Sequence, residues 1–548
     1  MSEREPHPPD LRWHVERAIG FIERWAAPLA GVDPVRAIAD GTDAYSSEDL
    51  AHNIGRSVDG LVKGGAATGR PVNVNLLQSL RSMLFASTDN DVGFPAAYCR
   101  TVGYYYDGSP AGMFCGSHNV REAVQAFLEL HMRDGDPEAK RRLDRLLESL
   151  LRITDANGRY VSEEVEKHAL LKSGMSFYDD KMHGGMYRGP VQDRGRLIMA
   201  LTQVYRALGD TRAMELAQRF VRLIRSRTFT ADGHLTHFAG SHTHSITGTV
   251  HGLADWGALA GDLDTLEHAR RIFDAGLSGV SSSFGWSVEG AWREKIVGRG
   301  EVNNTGDMVQ TALTLGHAGW PQYFEIAERM IRSHVLPTQW LTGQEYHQPK
   351  DDPRNPPAAL PDDVDGGWGC PAVNDRYGGS RFGILDITQG GIQCLWAALR
   401  KGISQEPHGH RINVLFTNEQ GDEGNGGRIE LTSCLPQEGR ISIRTTRREN
   451  LWVRRHGWMA TEHLRVTSND KPMPVPFTDD WVIVPRVEPD TTIRLTFPVP
   501  RREQTEWVNH LPYRIVFEGN QIVAMDPKGD CAPMYPSVNE LRSSAQRR

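Results

Sequence analysis

Over the first 400 residues, apolar and polar positions alternate with the period of an α-helix. After "GDPEAKRRL", Leu143, Leu146, Leu147, Leu150 and Leu151 recur at i, i+3, i+4, i+7 and i+8, which is one helical face. The signals "GDTRAMELA" and "GDLDTLEHA" open similar stretches further along the chain. In each signal the Gly can end one helix and the Asp can cap the next. The pattern therefore predicts helix pairs joined by Gly-Asp turns.

Each signal is also preceded by a helix-like stretch, as in "NVREAVQAFLELHMRD". A fourth pair begins at "NTGDMVQTALTLGHAGW" without the signal, and "ILDITQGGIQCLWAALRKG" predicts a fifth first helix. The array runs from about residue 75 to 402, with 74 residues from Gly135 to Gly209 and 52 from there to Gly261. This irregular spacing, with its long insertions, favours a closed (α/α) toroid over a uniform solenoid, with the first helices forming the inner ring.

The hydrophobic pattern changes after Ser404. Short runs rich in Val, Ile and Thr follow, such as "RIELTSCL", "GRISIRTTR" and "TTIRLTFPV", and polar turns separate them. Such runs are typical of an antiparallel β-sandwich. The sequence thus predicts a toroid over residues 10–402, a sandwich over 408–525, and a tail over 526–548, of which the end, "NELRSSAQRR", should be mobile.

Composition narrows the classes of function. The 548 residues are 39% hydrophobic and 24% charged, with a formal net charge of −7, as in an ordinary globular protein. Basic residues are scattered, so we expect no nucleic-acid partner. No apolar run approaches the roughly 20 residues that span a bilayer, and the N-terminus lacks the apolar core of a secretory signal, so we expect a cytoplasmic protein without a membrane partner. Composition leaves the oligomeric state undetermined.

The long insertions precede the first helices, so they should gather at the inner-helix N-termini, at one mouth of the toroid. Those N-termini carry unpaired N–H groups and partial positive charge. Glu289, in "FGWSVEGAWREK", and Glu301, in "GRGEVNNTGD", are 12 residues apart in a Gly-rich connection of this kind. Glycoside hydrolysis needs one carboxylic acid for the leaving oxygen and a second group on the other side of the sugar. Aromatic neighbours such as Trp286 and Trp292 can raise the pKa of Glu289 by desolvation.

Other chemistry-bearing residues cluster in nearby stretches. Five histidines fall within "HLTHFAGSHTHSITGTVH", and the pair His242 and His244 is a modest signal for zinc or for substrate binding. The six cysteines form no CxxC pair, so we expect buried small side chains rather than disulfides. Tyr104 to Tyr106 could line a sugar site or pack in a core. The loop "DDVDGGWGCPAVNDR" adds three further candidates, which are Asp365, Trp368 and Cys370.

From about residue 70 to 510, the chain resembles the β-L-arabinofuranosidase family of glycoside hydrolases. The Gly-Asp helix pairs, "THSITGTVHGLADWGALAGD", the Gly-Trp–Glu loop, the Glu301 segment, "MIRSHVLPTQ" and the Gly-Cys-Pro loop occur in the family's order. The resemblance implies an (α/α)6 toroid followed by an antiparallel β-sandwich, and Glu289 as acid/base. It also implies that Glu301 holds a zinc ion together with three cysteines, of which one, in the loop matching Cys370, is the nucleophile.

This chain departs from the family at the zinc ligands. The family's Glu-x-Cys reads Glu-Val-Asn, with Asn303 in place of a cysteine. Its Cys-Cys pair reads Gly369-Cys370, or Cys370-Pro371 if the register shifts by one residue. Two of three cysteines are missing, and a neutral amide is a poor zinc ligand. We therefore expect no cofactor and no tightly bound zinc.

The sequence as a whole predicts a glycosidase that releases a sugar from a glycoside or oligosaccharide. Two alternatives stay open: a lyase acting on uronic-acid-containing polysaccharides, which would use His and Tyr, and a non-catalytic carbohydrate-binding protein. The sugar, its linkage and the retaining or inverting outcome are not determined. The predicted catalytic residues are Glu289, Glu301 and Cys370, and the predicted substrate-binding residues are His242, His244, His251, Trp286, Asn303, Trp368 and Asp365.

Overall fold

The structure is a computed structural model of the chain. It describes residues 10–35, 50–90, 92–99, 112–115, 119–160, 190–291, 298–347, 364–379, 382–421 and 427–545. Within these residues, no helix combines the length and apolarity needed to cross a bilayer.

Six pairs of helices form a closed double ring. The inner helices are α2 Leu50–Thr68, α4 Val120–Asp134, α6 Leu197–Leu208, α8 Thr243–Ala260, α10 Val302–His317 and α12 Leu385–Lys401. The outer helices are α1 Leu11–Ala26, α3 Val74–Ser87, α5 Pro137–Ile153, α7 Thr211–Arg227, α9 Leu263–Arg271 and α11 Gln322–Met330. Each inner helix packs on the next, and α12 packs on α2, so the ring is closed. The predicted (α/α)6 toroid is confirmed, although the repeat array predicted from residue 75 lacked its first inner helix, α2.

The Gly-Asp pairs make the turns that their chemistry predicts. Gly135, Gly209 and Gly261 end α4, α6 and α8 with φ of 66°, 67° and 66°, a left-handed conformation that glycine adopts without a steric penalty. The Asp that follows each Gly caps the next outer helix; the Asp136 side chain, for example, accepts hydrogen bonds from the backbone N–H groups of Glu138 and Ala139.

Short segments complete the toroid. Strands β1 Ala96–Cys99 and β2 Gly112–Cys115 form an antiparallel pair. The π-helical turn Val191–Gly195 precedes α6, and Ile272–Gly276 extends α9. Helix α11 continues through the π-helical turn Ile331–Val335 into a short helix, Leu336–Thr338.

The C-terminal region forms two packed sheets and a separate third sheet. The strands of the two packed sheets are β3 Ile403–Glu406, β4 Gly409–Ile412, β5 Asn418–Gly421, β6 Arg428–Ser433, β7 Arg440–Thr445, β8 Glu449–Arg454, β9 Arg465–Ser468, β10 Lys471–Pro472, β11 Trp481–Val487 and β12 Thr492–Thr496. In spatial order, the six-stranded sheet is β10-β9-β12-β7-β6-β5 and the four-stranded sheet is β11-β8-β4-β3. In the four-stranded sheet, β4 and β8 pair in parallel and the other neighbours are antiparallel. Buried residues from both sheets, such as Ile441 and Val453, share one core, so the predicted sandwich is present.

The third sheet packs its apolar face against a loop of the toroid. It consists of β13 Arg501–Val508, β14 Leu511–Glu518 and β15 Gln521–Asp526. Its apolar face, including Phe517, buries Phe284, Trp286 and Val288 of the loop between α9 and α10. A sheet formed by the end of the chain thus supports the loop that carries Glu289.

The segment that we expected to be a tail with a mobile end packs onto this sheet. Residues 531–535 are buried, and Val538–Ala545 forms helix α13 against β14 and β15. Val538 shares a small apolar cluster with Val516 and Ala524. The polar composition of the segment hid this apolar anchor.

Buried polar contacts join the sandwich to the outer helix α11. Glu328 accepts hydrogen bonds from the backbone N–H of Leu415 at 2.7 Å and from Nε2 of His456 at 3.1 Å. Arg332 donates to the carbonyl oxygen of Leu415 at 2.7 Å. These contacts hold the sandwich on the outside of the ring.

Candidate active site

The N-terminal ends of the inner helices place a set of polar side chains at one mouth of the toroid. His242 and Glu301 are the N-cap residues of α8 and α10, yet neither side chain makes a capping hydrogen bond. The backbone N–H of Thr243 donates to the carbonyl oxygen of Glu289 at 3.0 Å, and the N–H of Glu289 donates to that of Arg299 at 2.8 Å. These bonds align the Glu289 loop with the start of α8 and with the approach to α10.

Two histidines and a glutamate face one another in this mouth. Nε2 of His242 lies 3.9 Å from Oε1 of Glu301, and Nδ1 of His244 lies 3.9 Å from Oε2. All three side chains are buried. One potential ligand atom from each lies within 4.8 Å of the other two, as in sites that hold a metal ion. The structure therefore brings together three of the residues predicted from the sequence.

A second layer orients both imidazoles. Nδ1 of His242 lies 2.7 Å from Oγ of Ser245. Nε2 of His244 lies 3.5 Å from Oδ2 of Asp307, which also accepts a hydrogen bond from Thr247 at 2.9 Å. Each imidazole therefore uses one ring nitrogen for this contact and turns its other ring nitrogen towards Glu301.

Burial sets the charge of these groups. It lowers the pKa of His242 to about 3 and that of His244 well below its usual range, so both imidazoles are neutral at pH 7. Burial, and then the charge of Asp386, raise the pKa of Glu301 to about 7. Burial likewise raises the pKa of Asp307 to about 6. Perturbed carboxyls of this kind concentrate at functional sites.

Glu289 has the surroundings of a general acid. Burial, and then the charge of Glu301, raise the pKa of Glu289 above its usual value, although an ion pair with Arg299 acts in the opposite direction. Glu301 thus acts electrostatically on Glu289 across the same mouth. Sequence reasoning missed Arg299, although it lies in the quoted segment "GRGEVNNTGD".

Cys370 approaches the same groups from a different loop. The carbonyl oxygen of Pro371 accepts hydrogen bonds from Nε1 of Trp286 at 3.0 Å and from the backbone N–H of Gly300 at 2.8 Å, which joins the two loops. Burial, and then the charges of Glu289 and Glu301, raise the pKa of Cys370 well above its usual value. With these neighbours alone, Cys370 is a neutral thiol at pH 7 and not an activated nucleophile.

A buried cluster of arginines surrounds Glu122 beside the histidines. Oε1 of Glu122 accepts hydrogen bonds from Arg121 at 2.9 Å and from Arg196 at 3.0 Å, and it lies 3.2 Å from Nε of Arg56. Burial alone would raise the pKa of Glu122, but the positive charges around it, first that of Arg121, hold it well below its usual range. Sequence reasoning missed this cluster, although Arg121 and Glu122 stand within the quoted stretch "NVREAVQAFLELHMRD".

Three of the predicted substrate-binding residues make packing, hydrogen-bond or ion-pair contacts with other parts of the protein. Trp286 is buried against the third sheet. Trp368 is also buried, and its Nε1 donates to the carbonyl oxygen of Val335 at 2.7 Å. Asp365 forms an ion pair with Arg17 of α1 and accepts a hydrogen bond from the backbone N–H of Thr342 at 2.8 Å. These contacts account for all three side chains without a ligand.

The structure places His251 at the opposite mouth of the toroid. It lies seven residues beyond His244 on α8, which is about 10 Å along the helix axis. It lies near Asp255 and lines a cavity of about 880 Å³ that the C-terminal ends of the inner helices surround. His251 therefore does not belong to the cluster around Glu301.

The zinc site implied by the family resemblance does not fit the residues present. Asn303 is buried against α12, where a Cβ added at Gly390 would lie 1.9 Å from its Oδ1. Cys370 is the one thiol that both the matched loop and the geometry place near Glu301. The described side chains therefore do not provide a zinc site made from Glu301 and three cysteines.

Some sequence candidates lie outside the described residues. They are Trp292, Glu294 and the tyrosines from Tyr104 to Tyr106.

Comparison with solved structures relates this fold to one group of enzymes. A GH127 β-arabinofuranosidase superposes with a TM-score of 0.62 at 13% identity, covering 94% of this chain and 83% of that one. A GH127 β-L-arabinofuranosidase from Geobacillus stearothermophilus T6 gives 0.61 at 11% identity, covering 93% and 84%. A further glycoside hydrolase gives 0.57 at 12% identity, covering 87% and 79%. No protein-family model and no curated protein sequence matches the chain.

The chain shares the fold of GH127 enzymes. The resemblance drawn from the order of sequence motifs is thereby confirmed for the architecture, since both domains are included in these superpositions. At 11–13% identity the comparison concerns the fold and not the reaction.

Proposed function

We propose that this protein is a glycoside hydrolase whose reaction takes place at the mouth formed by the inner-helix N-termini, with Glu289 as general acid. The observation that carries the proposal is the pair of buried carboxyls at this mouth, Glu289 and Glu301, whose pKa values are both raised, that of Glu289 in part by the charge of Glu301. The shared fold with GH127 enzymes supports a carbohydrate substrate. The names of those neighbours make a β-L-arabinofuranoside the first substrate to test.

Glu289 is suited to protonate a departing oxygen because it is buried and faces a second carboxyl group. Both effects favour its protonated form, and the ion pair with Arg299 fixes its orientation. Glu301 supplies the second carboxylate, and the neutral imidazoles of His242 and His244 provide hydrogen-bonding groups beside it. The partial positive charge of the helix N-termini favours negative charge that develops on oxygen in this mouth.

The test is the dependence of the rate on the leaving group. Glu289→Gln keeps the shape of the side chain and removes the proton. We expect turnover of alkyl glycosides and oligosaccharides, which have poor leaving groups, to fall by about 10²–10⁴-fold, because general acid catalysis typically contributes that much. A 4-nitrophenyl glycoside needs less protonation, so it should lose much less.

Two variants serve as controls. Glu215→Gln makes the same change on the exposed surface of an outer helix and should leave both rates unchanged. Glu301→Gln should lower the turnover of both classes of substrate, because the proposed role of Glu301 does not involve protonating the leaving oxygen. Equal losses for both substrates in Glu289→Gln would contradict the acid assignment. A product with the ultraviolet absorbance of an unsaturated uronic acid would indicate a lyase instead.

A further inference from the structure

We propose that His242, His244 and Glu301 form a binding site for one divalent transition-metal ion, with Zn²⁺ as the expected occupant. This site differs from the cysteine-based one that the family resemblance implies, since two imidazoles take the place of thiolates. Two histidines and one carboxylate form a ligand set used by catalytic zinc sites, which keep a further position open for water or substrate.

The separations between the ligand atoms fit an ion between them. Both imidazole–carboxylate distances are 3.9 Å, which is too long for a direct hydrogen bond. Zinc bonds of about 2.0–2.2 Å in tetrahedral geometry place ligand atoms about 3.4 Å apart. These two contacts reach different oxygens of Glu301, and one ligand atom from each of the three residues lies within 4.8 Å of the others. The side chains therefore need to close by about 0.5–1.4 Å, which rotation about their side-chain bonds can supply.

The second layer presents the correct nitrogen of each imidazole. Ser245 contacts Nδ1 of His242, so Nε2 faces Glu301, and Asp307 contacts Nε2 of His244, so Nδ1 faces Glu301. A hydroxyl or carboxylate on the far nitrogen is the usual partner of a metal-bound histidine, because it fixes the tautomer and makes the ligand more basic. The structure contains such a partner for both histidines.

The burial of the three groups agrees with this assignment. Both imidazoles are buried, and a neutral imidazole is the form that binds a metal ion. The carboxylate of Glu301 is buried as well, and no N–H or O–H of the described residues donates a hydrogen bond to it. A bound cation would compensate this carboxylate, whose burial is otherwise costly.

Metal binding by the full-length chain tests the proposal without any assay of turnover. The protein is stripped with a chelator, dialysed, and titrated with Zn²⁺ in a calorimeter and with Co²⁺ in a spectrophotometer. We expect one ion per chain and visible Co²⁺ bands typical of four- or five-coordinate geometry. Asp307→Asn should weaken binding by about 10–100-fold, the usual cost of losing a second-layer partner. His244→Ala and Glu301→Gln should abolish stoichiometric binding.

The control is His251→Ala, which removes another buried histidine from the same helix but at the opposite mouth. It should bind Zn²⁺ like the wild-type protein, and circular dichroism checks that every variant is folded. Absence of stoichiometric binding by the wild-type chain would overturn the proposal. Unchanged affinity in both Glu301→Gln and His244→Ala would overturn it too, and a loss confined to Cys370→Ser would point to a thiolate site. Because no turnover is measured, the result is separate from that of the hydrolase test.

Discussion

Glu122 offers a direct test of the buried charges behind the candidate site. Its side chain is 0% exposed, and it accepts hydrogen bonds from two guanidinium groups while a third lies 3.2 Å away. Glu122→Gln keeps the volume but removes the carboxylate charge that pairs with these cations. Breaking a buried ion pair in this way typically costs about 3–5 kcal/mol, because a charge is left without its partner.

The pH dependence of the free energy of unfolding provides a second, independent test of this prediction. The pKa of Glu122 is held well below its usual value in the folded protein. Its contribution is therefore present above the unfolded-state pKa of about 4.3, and it disappears as the pH falls towards the folded-state pKa. Urea denaturation should thus show a constant difference between wild type and variant from about pH 6 to 8, and a smaller difference below about pH 4.

A surface glutamate provides the matched control for the same substitution. Glu138 on α5 also pairs with two arginines, Arg141 and Arg142, but its side chain is 32% exposed. Glu138→Gln should cost about 0–1 kcal/mol, since solvent screens exposed ion pairs. A cost for Glu122→Gln as small as that of Glu138→Gln, or one that grows as the pH falls, would refute the reasoning.

Two further predictions concern the Glu289 loop. Arg299→Gln removes the cation that lowers the pKa of Glu289, so the alkaline limb of the pH–rate profile should move to higher pH. A limb that stays in place or moves to lower pH would contradict its assignment to Glu289. Trp286→Phe removes one donor to the carbonyl oxygen of Pro371, so denaturation should show a loss of about 1 kcal/mol with KM unchanged. A marked rise in KM with unchanged stability would instead make Trp286 a platform for the sugar.

The architecture was predictable because it depends on local patterns. Helical periodicity and Gly-Asp turns recur along the chain, and the change to strand periodicity near Ser404 occurs over a few residues. Each of these signals expresses a local physical preference, such as the left-handed conformation of Gly135 or the capping by Asp136. Helix α2 lacked such a turn signal, and the repeat array therefore began one inner helix too late.

The site was predictable only in part. The neighbourhood of Glu289, Glu301, His242 and His244 could be expected because all four precede or begin inner helices. Their pKa shifts and the orientation of the imidazoles could not be expected, because they depend on burial and on partners that are distant in the sequence. Asp307, for example, accepts a hydrogen bond from Thr247, which lies 60 residues earlier in the chain. The arginine cluster around Glu122 was missed for the same reason.

The sequence by itself determined which segments form helices or strands and which carry chemically active side chains. Tertiary structure decided which of those side chains meet. His244 and His251 belong to one helix and look equivalent in the sequence, yet a rise of about 1.5 Å per residue takes them to opposite mouths of the ring. Trp286 looks like a sugar platform until a sheet more than 200 residues later in the chain covers it. Local preferences are encoded residue by residue, whereas burial and proximity exist only after ring closure brings distant segments into contact.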